Sequence, residues 1–177
     1  MIFSRFFSSK TASNPVSGVY DAIVAQARQP WFYEQCSVPD TVEGRFDMII
    51  LHAFLLFERL KGHGDEVAQF SQNVFDAMFA DMDRSLRELG VGDLAVGKKI
   101  RKMAEMFYGR ADAYSRALQS DDDALQKAIA RNIFPDGGAS EDIRRLAGYT
   151  RRAHAALGAV EVPLIVAGQL EFIAPQE

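Results

Sequence analysis

The chain of 177 residues reads as an all-α protein, a single compact domain of about six helices with an irregular C-terminal tail. Three observations lead there. Pro39 and Pro135 bracket a long stretch free of proline, and the apolar residues inside it recur with the helical period rather than the alternation of a strand. Capping residues stand where the periodic stretches begin, and glycines stand where several of them end. The length suits one domain able to bury roughly two thirds of the surface its unfolded form exposes. That domain is expected over residues 13–177, with residues 1–12 as a flexible terminus.

The elements follow in order. The opening MIFSRFFSSK carries arginine, lysine and aromatics with no acid before Asp21. Its apolar run is too short for a secretory signal and reads as a frayed end or a weak membrane-touching tag. Asn14 caps a first helix with Pro15 in its first turn, and Val16, Val19, Tyr20, Ile23, Val24 and Ala27 form one stripe before Pro30 stops it. An aromatic linker, WFYEQCSVP, follows. Asp40 with Glu43 is a capping-box-like start for a second helix running to about Lys61. That helix holds MIILHAFLLF, about half the length of a membrane span and interrupted by a histidine, so it is a buried core helix.

A third helix is expected from about Asp65 to Leu89. Phe75, Met78, Phe79, Met82, Leu86 and Leu89 share one face of it, and Gly90 falls where a left-handed cap belongs. GVGD is then a helix-to-helix turn, and Asp93 caps a fourth helix with the stripe Val96, Ile100, Met103, Phe107, Ala111, Tyr114 and Leu118. Ser120 with Asp121, Asp122 and Asp123 opens a fifth helix. Ser140 with Glu141 and Asp142 opens a sixth that ends at Gly158. The remaining EVPLIVAGQLEF is expected to be extended or irregular.

Little in the chain suggests catalysis. A carboxylate-bridged metal site in a helical bundle needs Glu-x-x-His pairs, and none occurs. His52 has no acid at ligand spacing and reads as a core residue, while His63 and His154 have no partner either. A lone cysteine, Cys36, supports neither a disulfide nor a thiolate metal cluster and suits a reducing compartment. No nucleophile elbow is present, and GVGDLAVGK lacks the preceding strand and the final Ser or Thr of a phosphate loop. No metal or cofactor is expected. The alternative from another class is a helical enzyme or cofactor-binding protein using buried acids, which a metal assay and an absorption spectrum would separate.

The charges between residues 81 and 110 divide by angle. Asp83 and Arg87 form an i,i+4 pair of the favourable order on the third helix. Lys98, Arg101 and Lys102 face away from the apolar stripe of the fourth, a candidate docking patch. Lys99 and Arg110 sit at its edge. Arg110 beside the core needs an acidic mate, and Asp81 or Asp83 on the preceding helix is the expected one. The net charge of -4 gives no reason to expect DNA as a partner.

The run VPDTVEGRFDMIILHAFLLFERLK at 38–61, with FDAMFADMDRSLRELGVGDLAVGKKIRKMAEMFYGRADAYSRAL at 75–118, resembles the ubiquinol-cytochrome c chaperone family in its alphaproteobacterial branch. The similarity covers roughly residues 15–160, and its most specific pieces are Phe79 to Asp93 and Phe107 to Tyr114. The resemblance implies a non-enzymatic assembly factor for respiratory complex III that acts on newly made cytochrome b. It also implies a cytoplasmic protein peripheral at the inner membrane, with the anionic membrane surface or the ribosome as further partners. A chaperone of a membrane client must shield apolar helices, which makes exposed aromatics candidates for contact: Trp31, Phe32 and Tyr33 on the linker, whose alternative is to be tucked into the core, and Tyr108 off the main stripe.

Overall fold

Residue 50 and its neighbours determine the architecture. From Phe46 to Leu56 every residue is buried, and a helix apolar on all sides can be satisfied only by being surrounded. This helix, α3 (Val42–Leu60), is the axis of the computed structural model, which describes residues 14–175. The expectation of a flexible terminus over residues 1–12 falls outside that range. Around α3 pack α1 (Pro15–Ala27), α4 (Asp65–Glu88), α5 (Asp93–Leu118), α6 (Asp122–Ile133) and α7 (Ser140–Gly158). Two five-residue helices complete the set, α2 (Pro30–Glu34) and α8 (Val162–Val166). No strand occurs among the described residues.

The six longer helices correspond to the six the sequence predicts, and the two short ones differ from expectation. The aromatic linker and the tail each contain a proline that opens a helical turn rather than ending one, Pro30 in α2 and Pro163 in α8. Proline is well placed there, because its fixed φ suits the first turn and its missing N–H is not needed. Several caps sit one residue from the predicted position. Thr41, not Asp40, caps α3: its Oγ1 accepts from Gly44 N at 3.0 Å, while Asp40 turns to Arg45 at 2.6 Å. Gly92 and Ala139 occupy the cap positions expected for Asp93 and Ser140, which become first helical residues. Asp121, rather than Ser120, caps α6 by accepting from Ala124 N at 2.8 Å. Asn14 caps α1, accepting from Val16 N at 3.1 Å.

Two glycines are required by geometry. A Cβ on Gly44 would stand 1.9 Å from the Pro39 carbonyl oxygen, so only glycine lets the entering chain cross the first turn of α3. Gly90 has φ +82°. Its N–H bonds Arg87 O at 2.9 Å, and Val91 N–H bonds Leu86 O at 3.0 Å, the two bonds of a Schellman termination.

The polar groups around His52 and Arg59 are satisfied by specific partners. His52, 0% exposed, donates from Nδ1 to Met48 O at 2.8 Å. That leaves Nε2 to accept from the Tyr149 hydroxyl at 2.8 Å. The Tyr149 oxygen accepts from Gln26 Nε2, and the same amide nitrogen reaches Ile173 O, both at 2.9 Å. Burial lowers the His52 pKa to about 4, so the ring is neutral at pH 7. Arg59 fastens α3 to the end of α7 by donating to Leu157 O at 2.9 Å and to Val160 O at 2.7 Å.

The α4 and α5 helices form an antiparallel hairpin whose far end has no third layer. Between Met82 and Ala104 only Val96 is buried, and it lies outside the main core cluster. No helix among the described residues is long and apolar enough to cross a membrane.

Candidate functional site: an aromatic groove beside a basic helix face

Where the hairpin joins the body, α3, α4 and α5 do not close on one another. An open groove of about 500 Å³ remains, with Phe57 and Leu60 from α3, Phe75 from α4, and Phe107 and Tyr108 from α5 on its walls. The rings brace one another: Phe75 lies 5.3 Å from Phe107 and 5.6 Å from Tyr108, and Phe57 lies 5.8 Å from Phe107. Tyr108 is 60% exposed at the rim. Polar groups are few and sit at one end. Glu58 accepts from Ser115 Oγ at 3.1 Å and stands 3.9 Å from Lys61 Nζ. This volume is within the range of ligand clefts, and rigid aromatic walls bury apolar side chains at low entropic cost.

Tyr108, expected as an exposed aromatic, thus stands at the mouth of a groove that the sequence reading did not find. By sequence Phe75 and Phe107 fall on the core stripes of their helices. The available signal was an aromatic surplus, because a hairpin of two helices cannot enclose Phe75, Phe79, Phe107 and Tyr108 together.

The linker aromatics are placed differently from expectation. Phe32 is 0% exposed, with ring centroids 4.9 Å from Tyr149 and 5.4 Å from His52, so it is a core residue and no contact surface. Trp31 is half-buried against Phe32 and Tyr149, and Tyr33 is half-buried with its hydroxyl donating to Ala27 O at 2.7 Å. The helical turn opened by Pro30 swings these rings inward, as linker aromatics tucked into a core require.

Lys98, Arg101 and Lys102 are exposed, as is Lys99, and none has an acid within ion-pair distance among the described residues. Asp83 bonds Arg87 at 2.6 Å, and Arg87 also reaches Asp93 across the turn. Asp81 accepts from Tyr20 Oη at 2.9 Å and pairs with Arg84. The expected mate of Arg110 is therefore wrong: its guanidinium pairs with Asp47 of α3. The reason is topological, since α5 lies against α3 as well as α4 and the inner flank of α5 faces the former. Burial holds the Asp47 carboxyl above the usual carboxylate range although Arg110 pulls it down.

No group of three or more metal-ligating side chains occurs among the described residues. Cys36 is buried, and burial pushes its thiol up to about 12, far from a reactive thiolate. Fold and groove together define an all-helical protein with an open, mainly apolar cleft between α3, α4 and α5. The profile of the family described as ubiquinol-cytochrome C chaperone matches residues 34–172, and the chain belongs to that family.

Relatives agree. The chain is 27% identical over 116 residues to ubiquinol-cytochrome-c reductase complex assembly factor 1 of Xenopus laevis, covering 66% of this chain and 58% of that protein. It is 26% identical over 107 residues to the mitochondrial protein CBP3 of Saccharomyces cerevisiae, covering 59% and 32%. The chain thus spans little more than half of the first relative and about a third of the second. The crystal structure of the Cbp3 homolog from Brucella abortus superposes with a TM-score of 0.84 at 41% identity, covering 94% of this chain and 92% of that one.

Proposed function

We propose that this protein is an assembly chaperone for ubiquinol-cytochrome c oxidoreductase, respiratory complex III, and that it acts without catalysing a reaction. Its client is newly made cytochrome b, and it works from the cytoplasm at the inner membrane. An apolar segment of the client lies in the groove between α3, α4 and α5 until it is handed on. The observation that carries this reading is the open aromatic groove on a member of the ubiquinol-cytochrome c chaperone family. A protein that holds an apolar helix needs an exposed apolar surface with few competing polar groups, and a helix-in-groove contact meets that need.

The test is site-specific photocrosslinking in the native host during cytochrome b synthesis. A photoreactive residue at Tyr108 is expected to capture cytochrome b, while one at the exposed Asp136 is not. Tyr108→Glu is expected to keep the parent melting temperature and to fail in restoring complex III to a host lacking the gene. A Tyr108→Glu protein that restores assembly as fully as the parent would overturn the groove as the client site.

A further inference from the structure

The far end of the α4–α5 hairpin carries a combination that the bundle does not need. Leu94 is 99% exposed and Leu89 is 65% exposed, two of the five large apolar side chains left open among the described residues. Burying neither, the fold gains nothing from them as leucines. Leu94 lies in the first turn of α5, and Lys98 and Arg101 follow it by four and seven residues, so the three share one face with Lys102 on its flank.

The ion pairing at this end is equally uneven. The protein as a whole carries -4, yet Lys98, Lys99, Arg101 and Lys102 lie within five positions without an ion pair. The nearby acids Asp81, Asp83 and Asp93 are taken up by Arg84 and Arg87. Glu88 and Glu105 are the remaining acids of this end. This end is only slightly positive overall, but the face of Lys98, Arg101 and Lys102 concentrates cations that make no ion pair, and beside two open leucines it fits a partner that is anionic at its surface and apolar just beneath it.

We propose that the hairpin end docks on an anionic lipid bilayer, with Leu89 and Leu94 entering the headgroup region and Lys98, Arg101 and Lys102 meeting lipid phosphates. A nucleic acid fits less well. Single-stranded recognition relies on aromatic stacking, no aromatic residue occurs from 80 to 106, and the leucines would be idle against phosphates. Tyr108 is 14 positions beyond Leu94 in the same helix, about 21 Å at the helical rise. Docking by the tip therefore holds the groove close to the membrane where an apolar client is inserted. The lipid contact rests on the assembly reading only for which membrane is met.

Flotation with phosphatidylcholine vesicles, with and without phosphatidylglycerol, tests it at low and high salt. The full chain is expected to bind only the vesicles containing phosphatidylglycerol, and to bind less as salt rises. Lys98→Glu/Arg101→Glu/Lys102→Glu is expected to weaken binding by at least about 100-fold, each cation lost from such a surface being worth roughly fivefold and each glutamate adding repulsion. Leu89→Ser/Leu94→Ser, with every charge kept, is expected to weaken it by about tenfold. All these side chains are exposed, so the melting temperatures should match the parent, and a dye on Leu94→Cys should shift to the blue on vesicle binding.

The proposal is overturned if the parent ignores the phosphatidylglycerol vesicles. It is equally overturned if the leucine pair makes no difference while single-stranded RNA displaces the protein, because the surface would then be a polyanion site. The vesicle assay contains no client, so its failure leaves the assembly reading standing. Failure of Tyr108 to crosslink cytochrome b likewise leaves the lipid contact standing.

Discussion

Replacing Arg110 with alanine would leave the Asp47 carboxylate at the junction of α3 and α5 without its cation. The two side chains are 15% and 10% exposed, so the pair is nearly buried. Breaking such a pair from one side costs on the order of 3–5 kcal/mol, because the remaining charge loses its partner without regaining water. The residual exposure places Arg110→Ala near the lower figure, about 3 kcal/mol. In a domain of this size that is a fall in melting temperature of about 6–12 °C.

The pH dependence has a definite sign. Asp47 already has a folded pKa above its unfolded value, since burial outweighs Arg110, and Glu43 pushes the same way. Removing Arg110 raises it further. The folded variant then holds the proton more tightly than the unfolded chain, so its deficit relative to the parent is full at neutral pH. That deficit shrinks as pH falls toward the unfolded carboxylate value of about 4. Thermal unfolding of parent and variant at neutral and mildly acid pH measures this difference. Asp47→Leu/Arg110→Met is expected to recover most of the loss, as an apolar pair of similar volume often does. A deficit below about 1 kcal/mol at neutral pH, or one identical at both pH values, would refute the reasoning.

Gly90→Val is expected to cost at least about 1 kcal/mol through backbone strain alone, since nothing lies within 4 Å of the added Cβ, and Gly90→Asn should cost less. Equal chemical-denaturation midpoints for the parent and both variants would count against that account. Gly44→Ala is expected to lose about 2 kcal/mol or more, because the Pro39 carbonyl must move and the Thr41 cap is disturbed with it. A melting curve checks it. His52, lowered to about 4 by burial, favours the folded state fully above its unfolded pKa of about 6.5. That stability is lost as pH falls from about 6.5 towards 4, by roughly 3 kcal/mol. His52→Gln should flatten the loss over that window, as read from acid titrations of stability.

The helical periods were legible in the sequence because each long stripe faces α3 or its neighbours continuously, and Gly90 marked a turn that only a left-handed residue completes. Exact caps were not, since Thr41 and Asp40 are both good N-cap residues. The choice between them depends on where Pro39 delivers the chain against Gly44. The helical turns at Pro30 and Pro163 were hidden by the ambiguity of proline, which ends one helix as readily as it opens another. Angles around α5 correctly separated outward Lys98, Arg101 and Lys102 from inward Arg110, but an angle does not say which helix lies opposite, and Asp47 was therefore missed. The groove was illegible for the same reason. Phe75 and Phe107 look like core residues on any helical wheel, and only the failure of three helices to close exposes the space between them.

The hydrogen bond from Gln26 to the Ile173 carbonyl joins positions 147 residues apart. Residues 170–173 follow every helix of the bundle, so Gln26 is made long before the Ile173 carbonyl that accepts from it. Phe172, which stands edge-on to His52 with ring centroids 5.1 Å apart, is missing for as long. Contacts of such long sequence separation form late and slowly, so the bundle is sealed from its far end, after its axis is in place.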